Sequence, residues 1–259
     1  MVIFYTSVEG IEPAVFCYPY IVVNPWCFYE AVRYIEICRD RVKSILVDTG
    51  VDKLFKQLNV RDYPEWYIAR YVQMVRTMVA RYGNRIEIIY TIPDIPVDYE
   101  GRENLYPWNV QRTVEYIEMF RSRYIDYLRP AKPMPVVQGK KDDIMSVLDT
   151  YRRYEHLYNE FEIIGLGPTC HTKKWSALAQ MILIFDRNVS RPFHSFGAHL
   201  KAIERVLKWR LRYFRSFDSS AYFWINEGGR WRKTNGRKER TPALIQYIER
   251  LRKLGIEVE

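Results

Sequence analysis

The stretch Ser216-Phe217-Asp218-Ser219-Ser220-Ala221 delivers one carboxylate and then two hydroxyls from a short apolar entry. It follows a long amphipathic segment and precedes a loop rich in Gly, Trp and Arg, the pattern of a strand whose carboxyl end meets ligand. In a barrel of parallel strands that end carries the chemistry, which makes Asp218 a candidate nucleophile. Asp48, Asp94, Gln138, Gly165 with Gly167, and Phe196 with Gly197 fall at the ends of five further candidate strands. Singly, each has an ordinary explanation: Asp48 before Thr49-Gly50 suits a turn, and Asp218 before two serines suits a helix cap. Their joint alignment on six consecutive strands is much harder to obtain by chance.

The elements that must position these residues alternate through the chain. Short β-branched or aromatic runs predict strands at 3–6, 20–23, 45–47, 86–91, 134–137, 162–164, 192–195 and 216–217. Helical patterns fall near 27–42, 64–82, 109–128, 141–158, 173–188, 199–214 and 241–254, with no room for a helix in the first connection. Strands alternating with helices predict a parallel α/β sheet, and a count near eight predicts a single (β/α)8 TIM barrel over residues 1–259. In the segment 199–214, Leu200, Ile203, Leu207, Leu211 and Phe214 recur at a helical period. Lys201, Arg205, Lys208, Arg212 and Arg215 do the same on another face, which reads as a solvated basic stripe or a phosphate contact.

A chain of 259 residues that is 48% hydrophobic can bury a substantial core. The start, residues 1–10, lacks a basic leader and a long apolar stretch, and the best apolar run, 177–185, is interrupted by Gln180, so neither a signal peptide nor a membrane span is expected. Cys17, Cys27, Cys38 and Cys170 stand far apart with no Cys-x-x-Cys pair, which speaks against a disulfide framework or a cysteine-rich zinc site and fits a reducing, cytoplasmic setting. The net charge of +9 is concentrated: residues 201–240 hold twelve Lys/Arg against four Asp/Glu. Such a region favours a polyanion, because each neutralised phosphate releases counterions.

Several of these segments together resemble the tRNA-guanine transglycosylase family. Ile45-Leu46-Val47-Asp48-Thr49-Gly50 is similar to the segment bearing its general acid/base aspartate, and Val136-Val137-Gln138-Gly139 to its base-reading glutamine segment. Ile164-Gly165-Leu166-Gly167 resembles its glycine-rich strand end, His194-Ser195-Phe196-Gly197 its His-x-x-Gly element, and Phe217-Asp218 its nucleophile segment. The resemblance implies exchange of guanine in a nucleic acid for a free guanine or 7-deazaguanine base, without a cofactor. Asp218 would capture C1′ and Asp48 would move the proton; Asp94, Gln138, Gly165, Leu166 and Phe196 would hold the base. His194 reads as a hydrogen-bonding group that orients others. The adjacent Cys170-His171 has no third partner for a metal. Relatives commonly dimerise, so a homodimer is an expectation too.

The departures from that pattern are as specific. Nothing after Asp218 supplies the family's Cys-x-Cys-x-x-Cys…His zinc site; residues 226–240 stand there instead as a basic loop with Trp231. Its Arg230, Arg232, Lys233, Arg237, Lys238 and Arg240 are the candidates for backbone contacts with tRNA or DNA. Val51-Asp52 replaces the usual glycine and aromatic after the acid/base segment, leaving Phe55 or an aromatic of the first loops as the second stacking partner. Two other readings fit the same residues: a nucleic-acid-binding barrel without turnover, and a nucleoside or glycoside hydrolase using the same carboxylate pair.

Overall fold

The computed structural model describes residues 2–97, 103–170, 172, 174–219, 223–227 and 230–258. In chain order the elements are β1 (Ile3–Ser7), β2 (Tyr20–Val23), α1 (Phe28–Ile37), β3 (Ser44–Val47), α2 (Val51–Leu58), α3 (Glu65–Tyr82) and β4 (Glu87–Thr91). There follow α4 (Trp108–Arg123), β5 (Lys132–Met134), β6 (Val136–Val137), α5 (Ile144–Arg153), α6 (Glu155–Tyr158), β7 (Ile164–Leu166) and α7 (Trp175–Asn188). The chain closes with β8 (Phe193–Ser195), α8 (Leu200–Val206), β9 (Phe214–Asp218), the hairpin β10 (Trp224–Glu227) and β11 (Arg230–Lys233), and α9 (Gly236–Lys253).

Nine parallel strands form one sheet in the order β5-β4-β3-β2-β1-β9-β8-β7-β6. Its two ends, β5 and β6, are separated along the chain only by Pro135, so the sheet returns on itself as a nearly closed, TIM-like barrel. Proline has no N–H to give to a ladder, which accounts for the interruption there. Every residue of β2 and β3 is buried. Parallel strands packed on both faces call for such unbroken apolar runs.

Buried tyrosines fasten the helical layer to the carboxyl ends of the strands. Tyr71 of α3 donates to the Val47 carbonyl at 3.0 Å and to the Thr91 carbonyl at 2.7 Å, joining the exits of β3 and β4. Tyr67 donates to the Thr49 carbonyl at 2.6 Å, and Tyr63 to the Asp94 carbonyl at 3.1 Å. The two loops that carry Asp48 and Asp94 are therefore held from behind.

Four expectations are corrected. The helix foreseen over 199–214 ends at Val206, and the chain turns into β9 at Phe214. The cause is Asp186 of α7, whose carboxylate accepts the backbone N–H groups of Arg212, Tyr213 and Phe214 at 2.7–3.2 Å and draws that segment out of the helix. Lys208, Arg212 and Arg215 thus leave the stripe begun by Lys201 and Arg205. The supposed loop 226–240 is an antiparallel hairpin followed by the first turn of α9. The segment after Asp48, where no helix is predicted, forms α2, which buries Leu54 and Phe55. Finally, Cys17 and Cys38 form a disulfide, with Cα atoms 5.4 Å apart. Their separation of 21 residues hid a contact made when the first loop folds back on the end of α1, so cysteine spacing no longer argues for a reducing setting. Among the described residues no helix is long and apolar enough to cross a membrane.

Candidate active site

A cavity of about 230 Å³ opens at the carboxyl end of the barrel, lined by Asp48, Asp94, Gln138, Phe196 and Asp218 together with Gly167 and Trp26. The residues come from the exits of β2, β3, β4, β6, β7, β8 and β9, so they meet although 192 positions separate Trp26 from Asp218. The volume is below the roughly 300–1,000 Å³ of a usual small-molecule cleft, which suits one ring system rather than an entire nucleotide.

Asp48 follows β3 directly. Its Oδ2 accepts the Gly50 N–H at 3.0 Å, a turn possible because Gly50 takes a φ of +66°. Burial pushes the Asp48 carboxyl up to about 7; the Gly50 N–H opposes the shift and the charge of Asp218 adds to it. Loss of hydration penalises the ionised form, and a like charge nearby penalises it further. A carboxyl tuned to neutrality can both give and take a proton there.

Asp218 ends β9 in a different setting. Its Oδ1 accepts the Gly197 N–H at 2.7 Å and lies 3.3 Å from Nε2 of His194. Its backbone carbonyl accepts the Ala198 N–H at 2.8 Å. Both main chain and side chain of Asp218 are thus tied to the exit of β8.

On the other side, Gln138 is buried and donates from Nε2 to Oδ2 of Asp94, while its Oε1 has no hydrogen-bond partner among the described residues. An unpartnered buried acceptor beside a carboxylate makes a site for a ligand carrying N–H donors, since leaving such an atom unpaired is costly. Gly167 abuts the Gln138 amide so closely that any side chain there would displace it. Gly165 and Leu166 lie below the cavity and do not line it. Gly165 leaves room for the Phe196 ring, whose Cε2 would stand 2.7 Å from a Cβ at that position, and Leu166 is fully buried.

Trp26, in the loop between β2 and α1, is a site residue that the motifs alone did not single out. Its indole Nε1 donates to the Gly50 carbonyl at 3.1 Å, and Lys53 lies 5.1 Å above the ring. Gly50 is needed a second time here, because a Cβ would come within 2.8 Å of the indole. Phe55, the named alternative, is buried against Tyr63 at 5.2 Å and does not line the cavity. The signal was present as Asn24-Pro25-Trp26 at the exit of a predicted strand, with an exposed-type aromatic just where polar site residues collect.

The six basic candidates divide. Arg232 is paired with Glu239 at 2.8 Å, Arg237 reaches Glu12 at 3.5 Å and Glu30 at 3.6 Å, and Arg240 lies 3.6 Å from Glu9. Arg232 thus ties the hairpin to α9, while Arg237 and Arg240 fasten α9 to the loop after β1 and to α1. Lys233 and Lys238 are exposed. Arg230 is a β11 position whose side chain lies outside the described residues, as do the side chain of Trp231 and all of His171, Ser220 and Ala221. Cys170 is exposed at the cavity wall.

Fold and site define a parallel α/β barrel with two aspartates in unlike environments at its mouth. No protein-family model matches the chain, and no curated protein matches it significantly.

Proposed function

We propose that the protein is a base-exchanging transglycosylase acting on a nucleic acid, on an eight-stranded barrel in which β5 and β6 count as one strand interrupted at Pro135. The observation that carries the reading is the pairing of Asp48, pushed up to about 7, with the tethered carboxylate of Asp218 across one base-sized cavity. Two carboxyls in contrasting environments are the arrangement that divides acid/base from nucleophilic work.

In the forward step a carboxylate oxygen of Asp218 bonds to C1′ of the target nucleotide while the C1′–N9 bond breaks, its electron pair leaving with the guanine. Protonated Asp48 supplies the proton that the departing base takes up. The ionised Asp48 then removes a proton from an incoming guanine or 7-deazaguanine, whose nitrogen attacks C1′ and releases Asp218. The protein supplies both groups, and the reaction as proposed calls on no cofactor. Gln138 Oε1 and Asp94 accept from the N–H edge of the base, and Trp26 and Phe196 offer it aromatic faces. Lys233 and Lys238 are exposed cations of the basic region and approach the sugar-phosphate strand.

The test is incorporation of radiolabelled guanine into total tRNA and into duplex DNA. Label entering one polymer, and lost with Asp218→Asn, is the expected result. Release of free base without incorporation in both polymers would turn the assignment to a glycoside hydrolase; binding with neither release nor incorporation would turn it to a nucleic-acid-binding barrel.

A further inference from the structure

His194 is a buried imidazole, 1% exposed, with both ring nitrogens engaged: Nδ1 is 2.9 Å from Ser216 Oγ and Nε2 is 3.3 Å from Asp218 Oδ1. A carboxylate oxygen only accepts, so the hydrogen between them belongs to Nε2. In the neutral ring Nδ1 is then an acceptor and Ser216 Oγ–H donates to it. The ladder is arranged for this contact. Pairing between β8 and β9 shifts after Phe193, so that Phe193 stands opposite Phe214 but His194 opposite Ser216, with Arg215 as the extra residue. Such a bulge re-aims side chains, here turning Ser216 inward beside the imidazole. The ring is also wedged edge-on between Phe196 at 4.7 Å and Tyr5 at 6.0 Å, which leaves it little freedom to turn.

These contacts treat the two oxygens of Asp218 unequally. Oδ1 receives the Gly197 N–H and faces His194, whereas Oδ2 has no partner among the described residues and the side chain is 27% exposed. We propose that His194, set by Ser216, is a positioning residue that locks Oδ1 of Asp218 so that Oδ2 is the oxygen that bonds to C1′. The inference rests on the base-exchange reading for its chemistry and on the structure alone for the tether. Without the imidazole only the Gly197 N–H holds Oδ1, so the carboxylate rotates more freely about its Cβ–Cγ bond and spends less time with Oδ2 aimed at the sugar; the bond-forming step slows while strand binding does not.

The experiment compares His194→Phe, which keeps an aromatic ring without a donor, with His194→Gln, whose amide nitrogen reaches the place of Nε2. Adduct formation at Asp218 is followed in a single turnover with the polymer that accepts label, and polymer Kd is measured separately. His194→Phe is expected to slow adduct formation about tenfold to hundredfold, the scale of a lost hydrogen bond to a charged group, with Kd unchanged. His194→Gln is expected to recover most of the rate. In the wild-type protein, ¹⁵N NMR is expected to find the His194 hydrogen on Nε2. A wild-type adduct rate in His194→Phe overturns the proposal, as does a hydrogen on Nδ1 alone, a result that requires no variant to fold. If the wild-type protein forms no adduct and exchanges no base in either polymer, the base-exchange reading fails, and the NMR measurement still decides whether the tether exists.

Discussion

At the scale of single residues, Asp48 is the most consequential group, because its environment and its proposed task make the same demand. A carboxyl whose folded-state pKa lies above its unfolded value contributes stability that is full below the unfolded pKa of about 4 and is lost as pH rises through the folded value near 7. Asp48→Asn removes this dependence, so the variant is expected to gain melting temperature over wild type at pH 8 and not at pH 4. The same substitution is expected to lower base exchange by about 10²–10⁴-fold, the usual contribution of a general acid or base. A variant that keeps full turnover at pH 7 takes the proton-transfer role from Asp48. Trp26 makes a different kind of demand. If its indole stacks on the base, Trp26→Ala weakens base binding by about 1–3 kcal/mol, measurable as a rise in the concentration of incoming base needed for half-maximal exchange. An unchanged value would assign the indole to bracing Gly50 alone.

At the scale of elements, the turn from α8 into β9 shows how one side chain can override a helical pattern. Leu200, Ile203, Leu207, Leu211 and Phe214 are spaced as a single helix face, yet only the first two lie in α8. Three backbone N–H groups converge on Asp186, and hydrogen bonds to a charged acceptor outweigh the few tenths of a kcal/mol per residue by which helix propensities differ. Asp186→Ala is therefore expected to destabilise the protein by about 2–4 kcal/mol, read in urea or thermal unfolding, because it strands donors in a partly buried turn. Since β9 ends in Asp218, the variant should also slow adduct formation, whereas Asp186→Asn, which keeps one acceptor, should lie between. Destabilisation within about 0.5 kcal/mol of wild type, the range of an ordinary surface substitution, would show that the turn forms without the anchor.

At the scale of the whole molecule, the concentration of positive charge after residue 200 separates into structure and surface. Arg232 pairs with Glu239 and holds the hairpin to α9, while Arg237 and Arg240 pair with Glu12, Glu30 and Glu9 and hold α9 to the first loop and α1. Exposed pairs of this kind contribute little each, but they fix where Lys233 and Lys238 stand. Neutralising those two lysines is expected to reduce the log–log salt dependence of polymer binding by about 0.7–0.9 for each phosphate that no longer has a cation beside it. Replacing Arg232 instead should loosen the hairpin, raising Kd with a smaller change in slope. An unaltered slope in the double lysine variant would leave the region a solvated face.

Much of this was legible in the chain itself. The parallel barrel followed from strands without polar interruption alternating with helical periods, a local pattern that burial on both faces demands. Asp48, Asp94, Gln138, Phe196 and Asp218 could be named because in such a barrel the residue that ends a strand lies at the mouth, whatever its distance along the chain. What stayed hidden depended on contacts between distant segments. The Cys17–Cys38 bond, the reach of Trp26 over Gly50, and the ending of α8 by Asp186 each require a second segment that spacing cannot locate. Sequence determined which residue types stand at the strand ends. Tertiary structure alone decided their state, since the rise of Asp48 toward neutrality comes from burial and the field of Asp218, and both exist only when β3 and β9 have met in one barrel.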